Sequence, residues 1–393
     1  MAPTPLMAEA WIGRRTAAAL VALFGAVLVI PGLDQLVVDL RTGGSWRFLR
    51  LFREKPTHES LKAFEDELAR ESDLGARARM GYQTFLTRAL GEGNEKIVVG
   101  REGWLFFRKE VDMVTGPGFL ARRAVGRRGM SEGSGERKGL DPVEVISDYA
   151  RRLRARGIRL VFVPVPVKPF IYPEKVWPGY PPEAGPAWNR DRKAFLARLS
   201  DSGVEAIDLA DDLWGAKGRG ELYLRLDTHW SPLGLAVAAD RLAAGLAPPE
   251  AVRPRPRPAQ PRSVTHDGDL LRMIDLGPGS GLFSPQTVMI EPIPGRGDDG
   301  SPLLLLGDSF TNVYSRRELE WGEGAGLGEQ LMRRLGTPVQ VLALNGGGAT
   351  GVRELLARKP EALRQKKIVV WACSARDLYD ESVSWEIVPL PEE

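Results

Sequence analysis

Short, wholly apolar segments alternate with helical stretches from about residue 140 onwards, and this pattern constrains the fold more than any other feature of the chain. The candidate strands are Ile158 to Val165, Val204 to Leu209, Val288 to Ile293, Leu303 to Leu306, Val339 to Leu344 and Ile368 to Ala372. A strand that is apolar at every position cannot leave one face in water. Such strands interleaved with helices predict an α/β fold, a largely parallel sheet with helices on both faces. The helices announce themselves at their starts. Pro142 to Arg156 follows Asp141, a helix-capping residue type, and carries proline in its first turn; Pro232 to Leu246 follows Ser231 in the same way. Trp188 to Leu199 is a third helix. Upstream, IVVGREGWLFF reads as two short strands turning through Gly100 to Gly103. There is no internal repeat, and residues 95–393 read as one catalytic-sized domain.

The N-terminal part is different. Thr16 to Leu33 is uncharged and mostly apolar and follows Arg14-Arg15. Eighteen helical residues span roughly 27 Å, near the lower limit for crossing a bilayer. The arginine pair predicts a cytoplasmic tip and an exported remainder, with residues 1–40 as tip and single-pass anchor. A cleaved signal peptide has the same charged start and apolar centre, although no small-x-small cleavage site precedes Asp34. Residues 41–94 are expected to form a helical stalk, because Leu61, Phe64 and Leu68 recur on one face.

Charge and cysteine content narrow the function. Lys+Arg number 54 against 51 Asp+Glu, a balance that gives no basic footprint for nucleic acid. The arginine pairs within 121–139 lie in a Gly/Ser-rich loop, and 253–262 is a proline-rich connector. Cys373 is the only cysteine, so no intramolecular disulfide is available. No His/Cys/carboxylate cluster shows metal-ligand spacing, and neither a metal nor another cofactor is expected. Three histidines in the whole chain (His58, His229 and His266) leave few candidates for a general base.

In parallel sheets, reactive groups gather at the carboxyl ends of the strands. SPLLLLGDSF runs a strand into Gly307-Asp308-Ser309, and a serine there needs a base within hydrogen-bond reach to become nucleophilic. ELYLRLDTHW reads as a strand ending in Asp227-Thr228-His229. Residues two apart on an extended segment point the same way, so Asp227 would orient His229 as the serine's base. Asn345, Gly346 and the following glycines end another strand, and Arg376 ends the last one; all are suitable donors to a tetrahedral oxyanion. Lys168 and Tyr172 could line the cleft or merely shape a proline-rich loop, and Trp230 could wall the site or belong to the core. Each motif alone also fits a plain turn or helix cap. Their joint placement at strand ends favours catalysis.

These residues together resemble the alginate O-acetyltransferase family of exported, SGNH-hydrolase-like proteins, the AlgJ/AlgX group. The matching features are GREGWLFF, VPVPVKPFIYP, DTHWSPLG, GDL at Gly268 to Leu270, LLLLGDSF, NGGGATG and VVWACSARDL, running from roughly Gly100 to Leu378. In ordinary SGNH esterases the serine block comes first. Here Asp227 and His229 precede Ser309, which is similar to the family's permuted order. The resemblance implies Ser309 as nucleophile, His229 as base, Asp227 as its orienting acid and Arg376 as an oxyanion donor. It implies acetyl transfer to hydroxyls of an exported polysaccharide on the periplasmic side of the inner membrane, with no cofactor and with a multi-pass membrane O-acyltransferase supplying the acetyl group. A glycan deacetylase using the same triad, and a non-catalytic glycan-binding scaffold, are the rival readings of the same residues.

Overall fold

The structure, a computed structural model, describes residues 13–41, 55–120, 140–246, 257–295 and 299–392. The expected cytoplasmic tip, the first part of the expected stalk, the Arg-rich stretch 121–139 and the start of the proline-rich stretch lie outside the described residues. The chain divides into two compact units, 1–86 with 275–279 and 87–274 with 280–393. In the first, the helix Arg14–Arg41 is long and apolar enough to cross a membrane. It continues through Pro31 and past the expected end at Leu33 for about two further turns. The helices His58–Glu71 and Asp73–Leu90 follow in the stretch expected to be helical.

The second unit holds the sheet. Its strands are β1 (Ile97–Val99), β2 (Leu105–Phe107), β3 (Arg159–Val165), β4 (Glu205–Ala206), β5 (Arg262–His266), β6 (Gln286–Ile290), β7 (Leu303–Gly307), β8 (Gln340–Ala343) and β9 (Ile368–Ser374). Five of them form an all-parallel sheet in the order β4-β3-β9-β7-β8. Register makes Phe162, Trp371, Leu306 and Leu342 neighbours across one face, and Val161, Val370, Leu305 and Val341 across the other. The first face is covered by the helices Pro142–Ala155 and Gly348–Ala357, whose Tyr149 and Arg353 both pack on Trp371. Against the second lies the helix Leu327–Leu335, where a Cβ on Gly328 would stand 2.4 Å from Val341, so the backbone itself rests on the strand. The helix Pro232–Leu246 packs on that helix. The central strands β3, β9 and β7 are buried on both faces almost throughout, as their apolar sequences require, while the edge strands β4 and β8 are partly exposed.

Two expectations are corrected. The strand expected over Val288 to Ile293 is β6, and it pairs antiparallel with β5 in a separate two-stranded sheet. Its exposure alternates along its length, with Met289 55% exposed between buried Val288 and Ile290, so one face meets water. The second correction concerns Asp227 to His229. These residues do not end a strand of the sheet; they cap a hairpin-like loop closed by Ser231 N–H to Leu222 O (2.9 Å) and Leu224 N–H to His229 O (3.0 Å).

Candidate active site

The loop gets its shape from Asp227. One carboxylate oxygen, Oδ1, accepts from the backbone N–H of His229 (3.0 Å) and lies 2.6 Å from its ring Nδ1. A short carboxylate folding back onto the backbone two residues on is the usual Asx-type turn, and it brings the imidazole round to the same acid. The alternation expected of an extended segment is therefore not what pairs the two side chains. Oδ2 accepts from Trp321 Nε1 (2.9 Å) and from the backbone N–H of Asp269 (3.0 Å). Both Asp227 and His229 are buried.

Burial by itself would raise the Asp227 pKa, but the adjacent imidazole and the donors around the carboxylate hold it well below the usual range. Burial, the largest single influence, would likewise depress His229, but the charge and hydrogen bond of Asp227 together with the charge of Asp269 outweigh it, so the His229 pKa is raised. This is the direction that strengthens a general base. Nε2 of His229 is buried and makes no hydrogen bond.

Ser309 comes to this loop from the sheet. β7 is buried along its whole length and ends at Gly307, where a Cβ would meet Thr311 Oγ1 at 1.9 Å, so only glycine permits the tight exit. Asp308 caps the short helix Ser309–Asn312 by accepting from Phe310 N–H (2.9 Å), while its second oxygen accepts from Ser374 N–H at the end of β9 (3.0 Å). That one carboxylate ties the serine turn to the neighbouring strand end. Ser309 itself is half-buried. The next residue, Phe310, packs its ring 4.9 Å from the imidazole of His229, and its carbonyl accepts from Trp230 Nε1 (3.1 Å).

Two further strand ends carry the remaining candidates. Asn345 lies two residues beyond Ala343, which pairs with Gly307, and its Oδ1 accepts from Asn312 Nδ2 (2.9 Å). Asn345 and Gly346 are exposed, and Gly346 has φ +70, a conformation that suits glycine at the turn. Arg376 follows β9 and pairs with buried Glu110 (3.0 Å). Burial alone would lower the Arg376 pKa, but Glu110, with Asp377, Asp308 and Asp269, keeps the guanidinium charged, and that charge in turn opposes protonation of His229.

A family model described as an SGNH hydrolase-like domain, acetyltransferase AlgX, matches residues 97–375. The chain belongs to the AlgX family. A curated relative named probable alginate O-acetylase AlgJ, from Pseudomonas aeruginosa, is 30% identical over 232 residues, 56% of this chain and 53% of the relative. Its namesake from Pseudomonas fluorescens is 28% identical over 252 residues, 60% and 57% respectively. The chain thus spans about half the length of the curated relatives it matches. Among solved structures, the O-acetyltransferase domain of Pseudomonas putida AlgJ superposes with a TM-score of 0.54 at 24% identity, covering 72% of this chain and 91% of that one. Pseudomonas aeruginosa AlgX gives 0.52 at 20%, covering 73% and 62%. These likenesses establish the SGNH-like fold.

Within this AlgX-family fold the three residues considered for the cleft go elsewhere. Lys168 is wholly buried, with Nζ donating to Leu105 O (2.6 Å) and Arg225 O (3.2 Å), and burial pushes its ammonium down to about 8. Tyr172 accepts from Leu222 N–H (2.8 Å), which pins one end of the hairpin. Trp230 is fully buried; besides its bond to Phe310, its carbonyl accepts from Tyr314 OH (2.8 Å). Lys168 and Tyr172 thus brace the loop at Arg225 and Leu222, and Trp230 joins it to the serine turn.

Asp269, Trp321 and Glu110 have no role in the reading of the sequence. GDL at Gly268 to Leu270 was a visible motif, whereas nothing local marks Trp321 or Glu110. Among the described residues, one set of potential metal ligands does come together: Asp227, His229 and Asp269 present atoms within 4.8 Å of one another. Its carboxylates are already engaged. Each oxygen of Asp227 and Asp269 accepts from an N–H or O–H, and Nδ1 faces Asp227, so hydrogen bonds join the three residues through Thr228 and the backbone.

Proposed function

We propose that the chain is a serine-dependent O-acetyltransferase acting on hydroxyls of an exported polysaccharide. The observation that carries this reading is Nε2 of His229. It is buried and unpartnered, on a ring whose other nitrogen is held by Asp227, beside the turn that presents Ser309. A buried imidazole nitrogen left without a partner has an unmet hydrogen bond, and a serine hydroxyl or an acceptor hydroxyl supplies it.

In this reading Nε2 takes the Ser309 hydroxyl proton as Oγ attacks the acetyl carbonyl of the donor. Negative charge on the tetrahedral oxygen is met by Arg376 and by donors at the Asn345-Gly346 turn. Collapse expels the donor's leaving group, which takes the proton from the imidazolium, and leaves acetyl-Ser309. A sugar hydroxyl then gives its proton to Nε2 and attacks the acetyl group. The second tetrahedral intermediate collapses to the acetylated sugar, and Oγ recovers its proton from His229.

The relatives' name, alginate O-acetylase, makes a polyuronate the first acceptor to try. Residues 95–393 would form the catalytic domain, 41–94 the stalk, and the apolar helix Arg14–Arg41 the anchor holding the enzyme on the periplasmic side of the inner membrane. The acetyl group would arrive from a multi-pass membrane acyltransferase. The test is incubation with an acetyl ester, with and without an oligosaccharide acceptor, for the wild type and for Ser309→Ala and His229→Ala. Acetylated oligosaccharide formed by the wild type alone is expected. Release of free acetate with no capture by any acceptor would make the protein an esterase, and acetylation that persists in both variants would remove the triad from the chemistry.

A further inference from the structure

Behind the Asp227–His229 pair stands a second, half-buried acid. Asp269 Oδ1 accepts from the backbone N–H of Thr228 (2.8 Å), and Oδ2 accepts from the Thr228 hydroxyl (2.7 Å). Its own backbone N–H donates to Asp227 Oδ2 (3.0 Å), and Leu270 N–H donates to Leu226 O (3.1 Å). Four bonds thus clamp the segment 269–270 onto residues 226–228. The approach is so close that a Cβ on Gly268 would stand 2.2 Å from Leu226 O, and Gly268 has φ +82.

The clamp has a chemical consequence through Thr228. Its Oγ1 lies 3.4 Å from Nδ1 of His229. A hydroxyl carries one proton, and here that proton goes to the Asp269 carboxylate. Towards Nδ1 the oxygen can then offer only a lone pair. A lone pair there agrees with Nδ1 carrying the proton it donates to Asp227, and disagrees with a bare Nδ1. Tautomers are set by such hydrogen bonds to the second ring nitrogen.

The geometry points to Asp269 as a positioning residue that, through the Thr228 hydroxyl, holds His229 in the Nδ1–H tautomer and leaves Nε2 free to accept a proton. This deepens the proposed function and rests on it for the role of Nε2. The charged groups felt by the ring are Asp227, Asp269 and Arg376, contributed by three different segments. Removing the Asp269 charge leaves Asp227 and Arg376 in place.

Asp269→Asn is the discriminating substitution. The Thr228 N–H fixes the new amide with its oxygen towards that donor, so its NH2 faces Oγ1 and turns the hydroxyl proton towards Nδ1. Nitrogen-15 NMR of the histidine side chains reads the tautomer directly, and with three histidines in the chain, His229→Ala assigns the signal. In the wild type, neutral His229 is expected as Nδ1–H. In Asp269→Asn the Nε2–H form should appear, kcat/KM should fall on the order of tenfold to a hundredfold, below the full loss of a general base, and the acid limb of its pH profile should move to lower pH. An unchanged tautomer and pH limb, with only a lower melting temperature, would reduce Asp269 to a loop staple and overturn the inference.

If Asp269→Asn fails to fold, Thr228→Val removes the hydroxyl while keeping the backbone bond, and Thr228→Ser restores it. Loss of rate in the first with recovery in the second supports the inference; wild-type rate and tautomer in Thr228→Val overturn it. The NMR readout needs no turnover. A wild type that transfers no acetyl group but shows Nδ1–H would sink the proposed function and leave this inference standing.

Discussion

Asp227→Asn tests the site most severely, because its effect can be worked out bond by bond. The carboxylate accepts four hydrogen bonds, two on each oxygen: His229 N–H and Nδ1 on Oδ1, Trp321 Nε1 and Asp269 N–H on Oδ2. An asparagine must replace one oxygen with an NH2. Whichever way the amide turns, that NH2 faces two groups that are themselves donors. If the NH2 faces Trp321 and Asp269, two buried donors are left unpaired; if it faces His229, one is, because Nδ1 can re-pair by changing tautomer; each costs roughly 1–3 kcal/mol. The expected loss is about 1–6 kcal/mol, a large part of the roughly 5–15 kcal/mol that holds a typical protein folded. If the NH2 turns towards His229, Nδ1 can pair with it only by giving up its proton, which moves the proton to Nε2 and removes the base. A tautomer swap of this kind in a serine triad costs on the order of 10⁴ in kcat. Urea denaturation of wild type and variant at pH 7 measures the first number, and acetyl-ester turnover measures the second. The depressed Asp227 pKa sets the pH window. Its stabilisation is present above the unfolded value of about 3.9 and is lost as pH falls through the lower folded value, so the two proteins should converge in stability only in strong acid. A variant within tenfold of wild-type rate and with unchanged urea midpoint would refute the reasoning, since it would mean that neither the four bonds nor the tautomer matters.

Gly268→Ala places a methyl against Leu226 O in a backbone region reserved for glycine; it should cost about 1–3 kcal/mol in strain and lower turnover by displacing Asp227, read by urea midpoint and ester hydrolysis together. Because His229 is raised above its ordinary value of about 6.5, the acid limb of kcat/KM should lie above that pH, and stability owed to the His229–Asp227 pair should be full below it and fall as pH rises through the folded value; a limb at or below the ordinary value contradicts this. Glu110→Gln removes the buried partner of Arg376, and burial already pushes the Glu110 carboxyl up, so the charge left behind should destabilise the protein by about 3–5 kcal/mol, with calorimetry as the check. Trp321→Phe deletes one donor to Asp227 while keeping an aromatic ring; stability should fall by about 1 kcal/mol with the tautomer of His229 unchanged by NMR.

Much of the architecture was legible in the chain itself. Strands β3, β7, β8 and β9 are apolar at nearly every position, and only a sheet covered on both faces satisfies that pattern, so the parallel core and the places where Ser309, Asn345 and Arg376 leave it followed directly. The helix starting at Pro142 was equally plain, because Asp141 caps it locally, accepting from Val143 N–H (2.9 Å). β6 was placed in the wrong sheet because strand partners are chosen by long-range packing, which local alternation cannot reveal. The Asp227–His229 pairing was anticipated with the wrong geometry: an Asx-type turn replaced the expected extended segment, since the carboxylate gains more from the nearby N–H groups than from a sheet position.

Asp227 and His229 are close in sequence and meet in the structure, and the turn that carries Ser309 lies beside them through Phe310; each belongs to a short motif whose chemistry is local. What surrounds them is not local. Asp269, Trp321 and Glu110 reach the site from segments about 40, 94 and 266 residues from the groups they bind, and Lys168, Tyr172 and Trp230 turned inward to hold backbone carbonyls and amides. Burial is the physical reason. A polar group taken out of water must find a partner wherever the fold supplies one, and which partner that is becomes defined only when the whole chain has packed.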